Sequence, residues 1–185
     1  MASERVRSVR SDAIENRRRI LEVARESFTS EGDTSLNEIA KRAGVGPGTL
    51  YRHFPTREAL VMAVYHDEIQ RLADLAPALL KDHPPLAALR RWLDRVAQYG
   101  QLKHGVAEII HSAVDNREQE AWALVTGAIK CLLDAGTAAG LVRPDIDPDD
   151  FLLLIAFLWR IPPNTGGLDR ATRMLDLVMA GVLVR

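Results

Sequence analysis

Residues 35–54 read SLNEIAKRAGVGPGTLYRHF, and this stretch decides the fold. It opens on Ser35-Leu36-Asn37-Glu38, the pattern of a capping box. The Ser35 hydroxyl can accept the Glu38 backbone N–H while the Glu38 carboxylate reaches back to the Ser35 N–H. Leu36, Ile39, Ala40 and Ala43 then share one face of a short helix, about 35–42. Gly44 closes that helix, since glycine takes a left-handed C-cap without steric cost. Gly46-Pro47-Gly48 follows, with Pro47 at the first position of a second helix of two turns, about 47–53. Pro55-Thr56 stops it. Two short helices joined by a four-residue turn containing glycine form a helix-turn-helix, which Leu36, Ile39, Ala40, Val45, Leu50 and Phe54 would hold together.

Outward from this module almost every segment reads helical, and no stretch alternates with period two for the length of a strand. Upstream, residues 1–11 read as a flexible basic arm carrying Arg5, Arg7 and Arg10. A helix is expected from about Asp12 to Ser30, with Ile20, Ala24 and Phe28 on one face. Downstream, a helix capped by Thr56 starts near Arg57 and is expected to kink or stop at Pro77. Further helices are expected over 86–102, 104–114, 117–139, 149–160 and 168–184, about nine in all. The run FLLLIAFLW at 151–159 is apolar nearly all round, which predicts a centrally buried helix.

Composition narrows the function classes. Apolar residues make up 47% of 185, which supports a sizeable core. The single cysteine, Cys131, excludes an internal disulfide and a cysteine-rich zinc site. The N-terminal segment is polar and basic, unlike a secretory signal, and no apolar run is long enough to span a bilayer. The expectation is a soluble, cytoplasmic protein with no membrane partner. Residues 1–57 carry 11 Lys/Arg against 8 Asp/Glu and residues 58–185 carry 13 against 17, a mild asymmetry that would suit a polyanion at the N-terminal part.

None of the five histidines (53, 66, 83, 104 and 111) pairs at H-x3-H spacing, so no metal and no cofactor is expected. Asp145-Ile-Asp-Pro-Asp-Asp150 lacks the glycine and distal glutamate of a calcium loop and reads as a turn leading into an acidic first helical turn. No P-loop, G-x-S-x-G, H-E-x-x-H or G-x-G-x-x-G pattern is present, so no enzyme is expected.

The segment from Ile39 through Gly44-Val45, Thr49-Leu50-Tyr51-Arg52-His53-Phe54 and Arg57 to Leu60 closely resembles the recognition module of TetR/AcrR-family helix-turn-helix transcriptional regulators. The spacing ahead of the capping box is a residue or two shorter than that pattern. The resemblance implies an all-α fold: an N-terminal three-helix DNA-binding domain, about 13–72 with its helix-turn-helix at 35–54, and a C-terminal ligand-binding and dimerisation domain, 73–185. It implies that Thr49, Tyr51 and His53 lie on the exposed face of the recognition helix, with Arg52 able to read guanine or grip a phosphate. Ser35 and Asn37 at the start of the preceding helix are further contacts. Gly46 and Gly48 let the backbone approach DNA closely. Thr56 and Arg57 open a helix whose N-terminus would face a phosphate, and Arg17 would add salt-dependent attraction.

For the C-terminal part the resemblance implies a pocket among helices, for which Trp92, Tyr99, His111, Trp122, Phe157 and Trp159 are the candidate lining; each is equally compatible with ordinary core. The stripes Val125, Ile129, Leu132 and Leu175, Val178, Val182 are the candidate dimer contact, with the subunit's own core as the alternative. The expected function is a homodimeric repressor on a palindromic duplex operator, released by a small apolar effector. The alternative is a DNA-binding regulator whose C-terminal domain meets a protein partner.

Overall fold

The structure is a computed structural model that describes residues 2–30, 34–105, 117–162 and 166–184. It is all-helical. The helices are α1 (Ala2–Ser30), α2 (Leu36–Arg42), α3 (Pro47–His53), α4 (Arg57–Asp82), α5 (Pro85–Gly105), α6 (Arg117–Ala138), α7 (Pro148–Ile155) and α8 (Gly167–Val182). A 3₁₀ stretch, Ala156–Arg160, extends α7. Most of the helix expected over 104–114, His111 included, lies outside the described residues. Two expectations are corrected. Helical backbone begins at Ala2 rather than near Asp12, and α4 does not stop at Pro77 but runs on to Asp82. One proline removes a single hydrogen bond, which a 26-residue helix packed along its length can absorb.

The chain divides into two compact units, with the division inside α4 between Asp67 and Glu68. In the first unit, Ile20, Leu21, Ala24 and Phe28 of α1 are buried, as are Ile39, Ala40, Leu50, Phe54, Leu60, Val61 and Val64. Each large side chain so buried stabilises the unit by roughly 1.5–3 kcal/mol. Ser35 caps α2 by accepting the Glu38 N–H at 3.2 Å, one half of the expected box. Gly44, at φ +66°, makes the left-handed turn, and the Val45 N–H returns to the Ala40 carbonyl at 3.0 Å.

The second unit centres on Trp92, Leu89, Leu93, Val96 and Tyr99 of α5, packed with Leu72, Ile129, Leu132, Phe151, Ile155 and Leu175 in its buried core. The Trp92 indole N–H donates to the Leu72 carbonyl at 2.8 Å, five residues before Pro77. Asp147 caps α7 by accepting the Asp149 and Asp150 backbone N–H groups, with Pro148 at the first helical position. Gly136 is required sterically: a Cβ there would stand 2.4 Å from Val142 Cγ2. Val142 in turn bridges Leu183, tying the chain after α6 to the chain after α8.

Two further expectations are corrected here. Leu153 and Leu154 are 62% and 55% exposed, so the apolar run is not buried all round. An amphipathic helix offers one face to the core, and Phe151, Leu152 and Ile155 occupy it. Val125, Ile129, Leu132, Leu175, Val178 and Val182, expected at a dimer contact, are all buried within the chain itself. Their stripes serve the unit's own core.

Candidate nucleic-acid interface

The surface presented by α2 and α3 follows from their caps. With Leu50 and Phe54 buried, the periodicity of α3 turns Tyr51 and Arg52 outward; Tyr51 is 44% exposed although it is a large aromatic. Thr49 and His53 are half-buried, and the His53 ring leans against Phe54 at 6.1 Å between centroids. Ser35 and Asn37 are exposed at the start of α2. Thus Ser35, Asn37, Tyr51 and Arg52 are exposed, while Thr49 and His53 are less so.

Gly46 and Gly48 carry a separate signal. Gly46 caps α3 at φ −69°, where any residue fits, and neither glycine has φ in the left-handed range. A Cβ at either position would meet nothing within 4 Å. The chain itself therefore has no use for glycine there. A backbone kept bare without internal reason suits close approach by a second molecule.

The N-terminus of α4 carries its own set of contacts. The Thr56 hydroxyl accepts the Ala59 N–H at 3.1 Å and donates to Glu58. The Glu58 carboxyl is held below its ordinary value, first by its own backbone N–H and then by that hydroxyl. The Arg57 guanidinium turns inward: Nη1 donates to the Thr34 carbonyl at 2.5 Å and the group lies over the Phe28 ring at 5.3 Å. Its geometry braces α1 and the entry to α2. Arg17 makes a matching contact, 5.4 Å over the Phe54 ring, and Arg42 donates to the Ser27 hydroxyl at 3.0 Å. Sequence reasoning missed these braces, because a cation's partner across the fold leaves no trace in local spacing.

The candidate pocket residues are only partly brought together. Tyr99 and Trp159 meet edge-on at 5.7 Å between ring centroids. Trp92 is fully buried and bonded to Leu72, and Phe157 is half-buried. Trp122 is 44% exposed and its indole N–H donates to Asp149 at 2.5 Å, a surface brace between α6 and α7. One groove in this unit, about 420 Å³, is lined by none of these residues.

The arrangement of α1 to α4 has counterparts among known proteins. Residues 20–64 match the family described as bacterial regulatory proteins, tetR family, and residues 84–184 match the C-terminal domain of SbtR-like transcriptional regulators. The crystal structure of a TetR transcriptional regulator, SCO0520 from Streptomyces coelicolor, superposes with a TM-score of 0.78 at 40% identity, over 90% of this chain and 98% of that one. The TetR transcription regulatory protein from Mycobacterium vanbaalenii gives 0.75 at 35% identity, over 95% and 99%. An HTH-type transcriptional regulator of Staphylococcus aureus is 37% identical over 94 residues; the match spans 49% of this chain and about half, 51%, of that protein. With helix-turn-helix geometry, bare recognition-helix glycines and similarity over nearly its whole length, this chain belongs to the TetR family of DNA-binding transcriptional regulators.

Proposed function

We propose that the protein is a homodimeric repressor that reads a palindromic duplex operator through Ser35, Asn37, Thr49, Tyr51, Arg52 and His53. The observation that carries the reading is the pairing of exposed Tyr51 and Arg52 with the sterically unneeded Gly46 and Gly48. Phosphate and base-edge contact need protruding side chains beside a backbone that can come close. One recognition helix per chain reads one half-site, so a two-fold partner completes the operator. Selecting bound duplexes from a random-sequence pool tests this: inverted repeats should emerge, and a pool with no preferred repeat would overturn it.

Release by a small effector is part of the proposal. Its support is the continuity of α4, which contributes residues to both units. A ligand that favours one arrangement of the second unit then biases the helix that opens at the DNA-reading module. The effector and the operator must weaken each other by the same factor. Trp92, fully buried with its indole N–H engaged, favours a second reading in which a protein partner does this work. A thermal-shift screen of hydrophobic compounds followed by operator titration separates the two.

A further inference from the structure

The recognition helix α3 has little of its own to hold its direction. It has seven residues, Gly46 caps it without a side-chain bond, and Pro47 brings no N–H. A helix of two turns does not persist alone in water, so its pose is set by its anchors. Leu50 is the one buried residue within it, and Phe54, which ends it, is 3% exposed and serves as the second anchor. The Phe54 N–H closes the last turn on the Leu50 carbonyl at 2.8 Å, and the chain then leaves the helix at φ −138°, ψ 89°.

The two anchors are held differently. Leu50 is fully enclosed, whereas the Phe54 ring lies under a cation, the Arg17 guanidinium of α1, 5.4 Å from its centroid. The same ring meets His53 at 6.1 Å with the planes 43° apart. One ring therefore stands between a cation of α1 and the imidazole that the operator reading uses. Nothing on α1 competes for that cation: the residues three and four places from Arg17 are Ala13, Ile14, Ile20 and Leu21. Its neighbours are engaged along the helix, Arg18 by Glu15 and Glu22 and Arg19 by Asn16. Arg57 over Phe28 is also fixed by the Thr34 carbonyl; among the described residues Arg17 has the Phe54 ring alone. A planar guanidinium suits an aromatic face better than an ammonium does.

We propose that Arg17 is a positioning residue for sequence reading: by seating the Phe54 ring it fixes the direction in which the last turn of α3 presents Arg52 and His53. This rests on the operator reading and names a residue of α1 that controls its accuracy. Phosphate contacts carry no sequence information, whereas base readout depends on the direction of each hydrogen bond. Loss of Arg17 therefore lowers selectivity more than it lowers affinity for duplex in general.

The test is a double-mutant cycle of Arg17→Ala and Phe54→Leu in the full chain, read on a selected operator and on a random-sequence duplex. Arg17→Ala should weaken operator binding about tenfold and random-duplex binding by less than about twofold. In Phe54→Leu, which keeps an apolar anchor without a ring face, Arg17→Ala should cost nothing further. Hydrogen exchange without DNA adds a second readout: the Phe54 amide should exchange roughly threefold faster in Arg17→Ala, with the amides of α2 unchanged. Arg17 is exposed, so circular dichroism and melting of Arg17→Ala should match the wild type. Where Phe54→Leu melts too low to assay, the duplex and exchange readings of Arg17→Ala decide alone. Equal losses on both duplexes, with the slope of log affinity against log salt falling by roughly 0.9, would make Arg17 a phosphate ligand and overturn the proposal. Losses from the two substitutions that simply add, or an unchanged Phe54 amide, overturn it as well and leave the operator reading standing. A wild type that prefers no sequence overturns both.

Discussion

The Arg57 guanidinium lies 5.3 Å over the Phe28 ring while its Nη1 donates to the Thr34 carbonyl, so one cation from α4 holds α1 and the lead-in to α2. An exposed phosphate ligand and an internal brace differ in how they respond to salt. Arg57→Ala should lower stability by about 1–2 kcal/mol, from a lost cation–π contact and a charge-assisted hydrogen bond. It should leave the slope of log affinity against log salt unchanged. Arg52→Ala should instead reduce that slope by roughly 0.9, one phosphate contact. Titrating both variants against a random-sequence duplex over a range of salt decides between the roles.

Tyr51→Ala should weaken binding to a selected operator by about 1–3 kcal/mol, as expected for a recognition-helix side chain. Because Tyr51 is half outside the fold already, its melting temperature should stay within a degree or two of the wild type. A melting loss matching the binding loss would make Tyr51 a structural residue.

Gly48→Ala should separate folding from binding in opposite directions. Within α3, alanine is favoured over glycine by up to about 1 kcal/mol, and nothing in the chain obstructs it. The variant should therefore melt at or above the wild-type temperature while binding operator less tightly. Operator affinity equal to wild type would remove the close-approach reading of this glycine.

Glu68 is 1% exposed, and its carboxylate meets Arg95 at 2.6 Å. Removing the cation takes from a buried carboxylate one of its partners, so Arg95→Met should destabilise by up to about 3 kcal/mol, the low end for a broken buried pair, since Arg95 is partly exposed. Glu68→Gln should cost less, because the amide brings no uncompensated charge. Urea denaturation of the two variants reads the order directly.

The pair of Asp145 with Arg143 sets the sign of a pH dependence. The Asp145 carboxyl is held below the usual value of 3.8, first by its hydrogen bonds from Arg143. A depressed folded pKa contributes stability that is complete above the unfolded pKa and is lost as pH falls through the folded one. Melting temperatures of Asp145→Asn and wild type should therefore differ at neutral pH and converge toward pH 2. A gap that persists into strong acid would mean that the pair contributes through packing alone.

How much of this was legible in the sequence depends on the kind of signal. The capping serine, the left-handed Gly44 and Pro47 at a helix start each act within four residues, so the helix-turn-helix could be read locally. The acidic turn before α7 was legible for the same reason. The stripe at Leu175, Val178 and Val182 announced an amphipathic α8 but not what its apolar face meets, since an own-core face and an interface face have the same period. The inward turn of the Arg57 side chain was not legible, because the family pattern gives its position and not its rotamer. The pocket residues were chosen as aromatics, and aromatics fill cores as readily as they line cavities.

The hydrogen bond from Trp92 to Leu72 ends on main chain, not on a side chain, one turn before a residue that cannot donate. A sideways displacement of α5 therefore tugs on the peptide spine of α4 where its ladder is one rung short. Side-chain contacts can slip past one another by changing rotamer; a carbonyl cannot turn without rotating the peptide planes next to it. The α4 spine in this region should yield as a bend rather than as a slide, with Pro77 as the elbow.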